Sequence, residues 1–361
     1  MPSWAEWVDG ECRAVTAAGQ WRRIRDLDDD VVSFASNDYL GLARHPDVVA
    51  AAHAALDRWG AGSGAARLVA GSRPVHGELE AELAAWKEEA AAVLFPTGYA
   101  ANLGVLATFA GPGVRVLSDE RNHASIVDGC RLSRAEVCVY RHVDVDHVDA
   151  LLRGAPGRAV VVTDAVFSMD GDVAAVAALA ERCAAHGALL VLDEAHAVLS
   201  PIGSVDLGGV EHLRVGTLSK FLGSVGGFVA GPRPFVDLVV NRARPFIFTT
   251  AGSPVDAAAA LAALRVLRSA EGDGLVGRLR ANVDVVAARH PSPILPVVLG
   301  DENVAVAASA ALLQRGLLVP AIRPPTVPPG TSRLRISVSA SHTAGHLQAL
   351  LDGLQAVGCA P

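Results

Sequence analysis

Lysine is nearly missing from this chain. Of 31 basic side chains only Lys87 and Lys220 are lysine, so arginine supplies almost all positive charge. Cysteine is also sparse: the five (Cys12, Cys130, Cys138, Cys183 and Cys359) are odd in number and show no C-x-x-C spacing, which excludes a disulfide framework and a zinc site built on that motif and predicts free thiols in a reducing cytoplasm. No uncharged apolar stretch approaches the roughly 18 residues a bilayer span requires, and the acidic start of the chain does not read as a signal peptide, so no membrane partner is expected. A net charge of −7 without a long basic run argues against nucleic acid as a partner. There is no Gly-Lys pair anywhere, which removes a nucleotide-binding P-loop and with it a helicase reading of Asp193-Glu-Ala-His196.

Against that scarcity, the position of Lys220 matters. It lies in the glycine-studded segment Gly216-Thr-Leu-Ser-Lys-Phe-Leu-Gly-Ser-Val-Gly-Gly227. Arginine would serve there if charge were all that was needed, but a guanidinium does not lose its proton and cannot condense with an aldehyde. A retained amine therefore points to covalent chemistry at a carbonyl. Lys87 lies in the charged stretch Glu80–Glu89 and is expected to be a solvated cation on a helical face.

Short apolar runs at Ala92–Phe95, Val114–Leu117, Ala159–Thr163, Ala188–Leu192 and Gly227–Ala230 alternate with Ala-rich helical patterns. This predicts an α/β fold with a mostly parallel sheet covered by helices on both faces. Residues 1–40 read as an N-terminal helix and connector with Trp4, Trp7 and Trp21 as docking anchors. Residues 41–255 read as the large α/β domain, and residues 256–361 as a smaller C-terminal α+β domain with strands near Ile294–Val298, Leu317–Ile322 and Leu334–Val338.

Ligands of such sheets sit at the carboxyl ends of the strands, and polar residues follow each run. Asp193 leaves one strand, where it either holds a protonated ring nitrogen or caps a helix. Gly98 and Tyr99 open a helix after another, offering backbone N–H groups to a phosphate that Thr217 could also reach. His123 either lies over an aromatic ring or is a satisfied loop histidine, and the Ser168 hydroxyl could reach a phenolic oxygen. Gly60-Ala-Gly62-Ser-Gly64 follows a helical pattern rather than a strand, so it reads as a flexible active-site loop and not as a dinucleotide fingerprint. Together these residues suit pyridoxal 5′-phosphate: an aldehyde to trap, a ring nitrogen to keep protonated and a phosphate to anchor.

The motifs Ser36-Asn-Asp-Tyr-Leu-Gly-Leu42, Gly60–Gly64, Asn122-His-Ala-Ser-Ile126, Val166-Phe-Ser-Met-Asp-Gly-Asp172, Asp193–His196 and Thr217-Leu-Ser-Lys220 resemble the α-oxoamine synthases, a branch of the fold-type I pyridoxal-phosphate transferases, over about residues 33–345. The resemblance implies a seven-stranded sheet, a homodimer with shared sites, and Lys220 as the residue that holds the cofactor and later takes an α-proton. It implies Asp193 at the ring nitrogen, His123 stacked on the ring, His196 and Ser168 near the phenolic oxygen, and Gly98, Tyr99, Thr217 and a partner's Thr250 around the phosphate. Arg335 would then meet the amino acid carboxylate, Arg22, Arg323 and Thr326 the acyl substrate, and Asn37 would be a further substrate residue. The stretch Ala321–Arg335 is similar to the members that condense L-alanine with pimeloyl-CoA or a pimeloyl carrier protein. The alternatives are a sibling synthase using another thioester with glycine, serine or alanine, and a catalytically silent binding protein of the same fold. Two departures from the family pattern, Ala65 and Ala197-Val-Leu-Ser-Pro201, bear on the acyl channel.

Overall fold

The computed structural model describes residues 3–22, 24, 26, 30–155, 157–199, 205 and 207–359. The chain opens with α1 (Trp4–Ala17), capped by Ser3 and Glu6, which bond each other's backbone N–H. This helix buries none of its residues, and Trp4, Trp7 and Trp21 stay exposed, so they do not anchor it to the body as expected. The connector ends in β1 (Val32–Ser33) and leads to α2 (Pro46–Trp59) and α3 (Pro74–Trp86).

A β/α alternation follows: β2 (Ala91–Phe95), α4 (Gly98–Phe109), β3 (Arg115–Asp119), α5 (Ala124–Ser133), β4 (Glu136–Tyr140), α6 (Val145–Arg153), β5 (Ala159–Asp164), α7 (Val176–His186) and β6 (Leu189–Asp193). Then come β7 (His212–Thr217), β8 (Gly227–Gly231), α8 (Arg233–Arg242), α9 (Arg244–Ile247), α10 (Pro254–Leu267) and α11 (Ala270–Val286). The chain closes with β9 (Ile294–Gly300), α12 (Glu302–Leu313), β10 (Leu317–Leu318), β11 (Ala321–Ile322), β12 (Ser332–Ser337) and α13 (Ala344–Ala356).

Among the described residues the main sheet has seven strands in the order β2-β8-β7-β6-β5-β3-β4, with β8 alone antiparallel to its neighbours. Strands β5, β6 and β8 are buried at every position, as a sheet covered on both faces requires. Two apolar clusters lie against its faces, one around Val93, Val162 and Val229 and the other around Leu117, Val161 and Leu190. A third links α2, α3 and α10 to the C-terminal three-stranded sheet β11-β12-β9. β1 pairs in parallel with β10, so the segment before the large sheet is held by the C-terminal unit. The single strand expected over Leu317–Ile322 is broken into β10 and β11, with Pro320, which lacks a ladder N–H, between them.

Two strands escaped the apolar pattern. β4 is an edge strand with Val137 and Val139 exposed, while β7 carries His212 and Arg214 into the interior. Those charges belong to an ion cluster that also overturns the reading of Lys87. Lys87 is 5% exposed, with Nζ 2.6 Å from Glu194 Oε2 and 3.8 Å from the centroid of the Trp86 ring. Glu194 also accepts from Arg214 at 2.5 Å, and Arg214 and His212 both reach Glu89. Lys87 is thus turned inward while Glu88 on the same stretch stays exposed, because Glu194, next to Asp193 on the strand end, needs cations on its buried side.

A second cluster braces the loop after β5. His142 bridges Asp119 at 2.9 Å and Asp172 at 2.5 Å. Burial opposes its charge, but hydrogen bonds to both carboxylates win and push its pKa up to about 9.

Lys87→Met should lower stability to urea by about 2–4 kcal/mol, since it leaves Glu194 half-paired in the interior, and adding Glu194→Gln should recover part of that loss. An effect under about 0.5 kcal/mol would restore the solvated-surface reading. For His142 the raised pKa means its contribution is complete below about pH 6.5 and is lost as pH rises through about 9. Denaturation across that interval should show a fall on the order of 2–3 kcal/mol that His142→Gln flattens.

Candidate active site

The carboxyl ends of β2, β3, β5, β6 and β7 lie along one edge, with the start of β8 among them. There β6 and β5 deliver Asp193 and Asp164 as register partners. Asp193 is buried, accepting from Asn102 Nδ2 at 2.6 Å and from the Ala195 N–H at 2.9 Å. Asp164 accepts from the His123 N–H at 2.7 Å. Burial, then the nearby Asp193 carboxylate, pushes the pKa of Asp164 well above the usual carboxylate range.

Lys220 follows β7 in a turn closed by bonds from Leu218 N to Gly226 O and from Gly223 N to Lys220 O. Its Nζ lies 2.8 Å from His196 Nε2. Burial lowers its pKa to about 8, against the pull of Asp193 and Asp164 and with some help from Arg335. His196 is buried, and desolvation followed by the charges of Lys220 and Arg335 holds it well below the ordinary imidazole range, hence neutral. His123 caps α5, taking the Ser125 N–H on Nδ1 at 3.2 Å. Desolvation lowers its pKa too, leaving a neutral ring whose Nε2–H is available to a ligand.

At the start of α4 the Thr97 hydroxyl takes the Ala100 N–H, and the N–H groups of Gly98 and Tyr99 meet no protein acceptor among the described residues. Gly227 makes room for this helix end: a Cβ there would come within 2.5 Å of Gly98 N. Thr217 packs opposite Gly98, its hydroxyl donating to Gly226 O at 2.9 Å. The Tyr99 side chain turns outward to Asp128. These open N–H groups beside two hydroxyl residues, a carboxylate at one strand end and a poised amine at the next suit a phosphorylated pyridine aldehyde.

Arg335, on β12, is buried and enters from the C-terminal unit. It donates to Ser168 O at 2.5 Å, Ser337 Oγ at 2.8 Å and Asn37 Oδ1 at 3.2 Å. Ser168, Asn37 and Arg335 are therefore brought together. Arg323 lies apart from them, donating to the carbonyls of Gly19 and Trp21, which places the exposed Arg22 segment against the loop that carries the exposed Thr326. Thr250 is exposed and lines a small cavity with Pro96 and Leu218. The Gly60–Gly64 loop is docked on the same segment, Ser63 Oγ donating to Gly252 O and Ser253 Oγ to Ala61 O. Of the unusual stretch after His196, Val198 and Leu199 pack on the C-terminal core, while Ser200 and Pro201 lie outside the described residues.

Sequence reasoning passed over Asn102, Asp164 and Tyr39. Asp164 carried the signal that selected Asp193, a carboxylate directly after an apolar run. Tyr39 stood inside the Ser36–Leu42 motif and Asn102 four residues beyond Gly98, but nothing local distinguishes either from a packing residue.

The profile of the family described as aminotransferase class I and II matches residues 29–354. An 8-amino-7-oxononanoate synthase of Anaeromyxobacter dehalogenans is 50% identical, over 98% of this chain and 95% of its own length, and one from Mycobacterium bovis is 47% identical over 95% and 92%. Among solved structures, a serine palmitoyltransferase from S. paucimobilis with bound PLP–myriocin superposes with a TM-score of 0.90 at 32% identity over 99% of this chain and 98% of that one. The 8-amino-7-oxononanoate synthase of Francisella tularensis superposes with a TM-score of 0.76 at 25% identity, over 91% and 97%. The chain belongs to the aminotransferase class I and II family.

Proposed function

We propose that this chain catalyses the decarboxylative condensation of L-alanine with a pimeloyl thioester, carried on CoA or a carrier protein, to 8-amino-7-oxononanoate, free thiol and carbon dioxide, a step of biotin synthesis whose product its relatives are named for. The observation that carries this reading is the joining of Lys220, Asp193 and Arg335 at one sheet edge in a chain about half identical to those relatives. The 32% identity to serine palmitoyltransferase supports the shared fold but ranks a palmitoyl or serine specificity behind the pimeloyl one.

Pyridoxal 5′-phosphate is the cofactor; when bound, it supplies an electron sink for the negative charge that forms at the amino acid's α-carbon. Gly98, Tyr99 and Thr217 would hold its phosphate, joined by Thr250 of the partner subunit in a homodimer. Asp193 would hold the ring nitrogen, His123 the face of the ring, and His196 and Ser168 the phenolic oxygen. Arg335 and Asn37 bind the carboxylate of alanine, orienting its Cα–H towards Lys220 Nζ, which takes the proton. An amine with a pKa of about 8 suits that task, because near neutrality an appreciable fraction is already unprotonated. His123 donates from Nε2 to the thioester oxygen as the new carbon–carbon bond forms and the thiol leaves. Arg22, Arg323 and Thr326 receive the far end of the acyl chain. No described helix is long and apolar enough to cross a membrane, and a cytoplasmic setting suits such a reaction.

Purified, cofactor-loaded protein given L-alanine and pimeloyl-CoA should release thiol and carbon dioxide in equal amounts; release with palmitoyl-CoA and L-serine but not with this pair would shift the assignment to a sibling synthase. Lys220→Ala should lower kcat by about 10³-fold or more. The proton-abstraction rate, read by α-deuterium exchange of L-alanine, should rise about tenfold per pH unit and level off above about pH 8. Arg335→Lys should raise the KM for L-alanine about tenfold while cofactor affinity changes little, because a point charge cannot reproduce two-point carboxylate binding. Equal losses of both would make Arg335 structural.

A further inference from the structure

Tyr39 connects two parts of the site treated separately above. Its side chain is fully buried, with the hydroxyl 2.7 Å from His196 Nδ1 and 3.0 Å from Asn37 Oδ1. Asn37 Oδ1 in turn meets Arg335 Nη2 at 3.2 Å, and His196 Nε2 meets Lys220 Nζ at 2.8 Å. Five side chains form an unbroken line from the guanidinium to the amine.

The direction of every proton in that line can be derived. A guanidinium only donates, so the Asn37 amide must present its oxygen to Arg335. An amide oxygen only accepts, so Tyr39 spends its one proton on Asn37. The phenolic oxygen then faces His196 as an acceptor, which puts the imidazole proton on Nδ1 and leaves Nε2 as a bare lone pair turned on Lys220. The supporting charge states agree: burial raises the Tyr39 pKa to about 12, and His196 is held neutral.

This matters for the lone pair of the amine. Were Nε2 to carry the proton, it would donate into Lys220 and occupy the electron pair needed for attack or proton removal. An acceptor Nε2 instead takes one of the amine's hydrogens and leaves that pair free. While Lys220 is an ammonium, it only donates and enforces this arrangement itself; once neutral, it no longer does. We propose that Tyr39 is a positioning residue that relays the donor-only character of Arg335 to His196, locking the Nδ1–H tautomer and keeping the lone pair of neutral Lys220 free. The assignment rests on the proposed function only for what the lysine does with that pair.

The test uses the full-length, cofactor-free protein labelled with ¹⁵N in histidine imidazoles and ¹³C at lysine Cε, where two lysines give two resonances. The groups facing Lys220 and His196 from the surrounding elements, Asp193, Asp164, Arg335 and His123, are unchanged in the variant. Wild type should show His196 as Nδ1–H at both pH 7 and pH 9.5. Tyr39→Phe should keep that form at pH 7 but populate Nε2–H at pH 9.5. Its Lys220 midpoint should fall by about half a unit to one unit, since a donor then stabilises the neutral amine, while the Lys87 resonance stays in place. Arg335→Lys, still donor-only, should retain the wild-type tautomer. In the cofactor-loaded enzyme Tyr39→Phe should lower kcat about tenfold, most above pH 8.

Nε2–H in the wild type at pH 9.5 would overturn the proposal without any variant, and so would a Tyr39→Phe protein that is less stable yet keeps Nδ1–H there. Failure of the proposed reaction would appear separately, as no thiol release by wild type, and would leave the tautomer result intact.

Discussion

A single amine removed from water sets the terms for this molecule. Lys220 is surrounded by groups that pull its pKa both ways, and burial prevails over the two nearby acids to bring it to about 8. Asp164 and Asp193 face each other across adjacent strands, and the charges of both draw Lys220 towards its protonated form. Arg335, entering from the C-terminal unit, pushes it the other way. The amine's reactivity is therefore a property of three strands and two structural units, not of the turn that carries it.

The same logic applies beneath the edge. Asp193 and Glu194 are consecutive, so as the strand ends one carboxylate serves the site and the next is turned into the protein. Glu194 is tolerated there because Lys87 and Arg214 converge on it, and the Trp86 ring covers the lysine. Each partner comes from a different element: the end of α3 and β7 are tied to the end of β6. An ion cluster of this kind adds little net stability over apolar packing, but it penalises any shift in strand register that would separate its members. The position of Asp193 is thereby held from behind, while Asn102 and the Ala195 N–H hold its carboxylate from the front.

How much of this was legible in the sequence follows from where the physical signal lies. Strands β2, β3, β5, β6 and β8 are runs of apolar residues because both of their faces are covered, and those runs are visible without coordinates. β7 is equally buried, but its Arg214 and His212 break the run, and only the convergence of Glu89 and Glu194 makes them tolerable there. Lys87 was misread for the same reason, since a charged stretch on a helix looks solvated until its counter-charges are located. Of the candidate site residues, Asp193 could be picked as the acid that follows an apolar run, and Lys220 from the scarcity of lysine. Tyr39 could not, because its partner His196 lies 157 residues away and its value comes from a proton whose direction only the assembled line of side chains defines.

That line obeys a constraint that goes beyond this pair. Arg335 and Lys220 at its ends are both donors when charged, and a run of groups each donating to the next cannot join two donors unless one atom accepts from both sides. Asn37 Oδ1 is that atom, taking Tyr39 from one side and Arg335 from the other. An aspartate there would keep the acceptor but add a buried charge that draws the lysine's proton back. A serine would offer a hydroxyl able to donate as well as accept, and the direction of the line would no longer be fixed. The amide is thus the choice that orders the protons without altering the charge balance on which Lys220 depends. In the proposed reaction a substrate carboxylate arriving at Arg335 would engage the same guanidinium that begins the line, so amino acid binding and the state of the amine would share one set of hydrogen bonds.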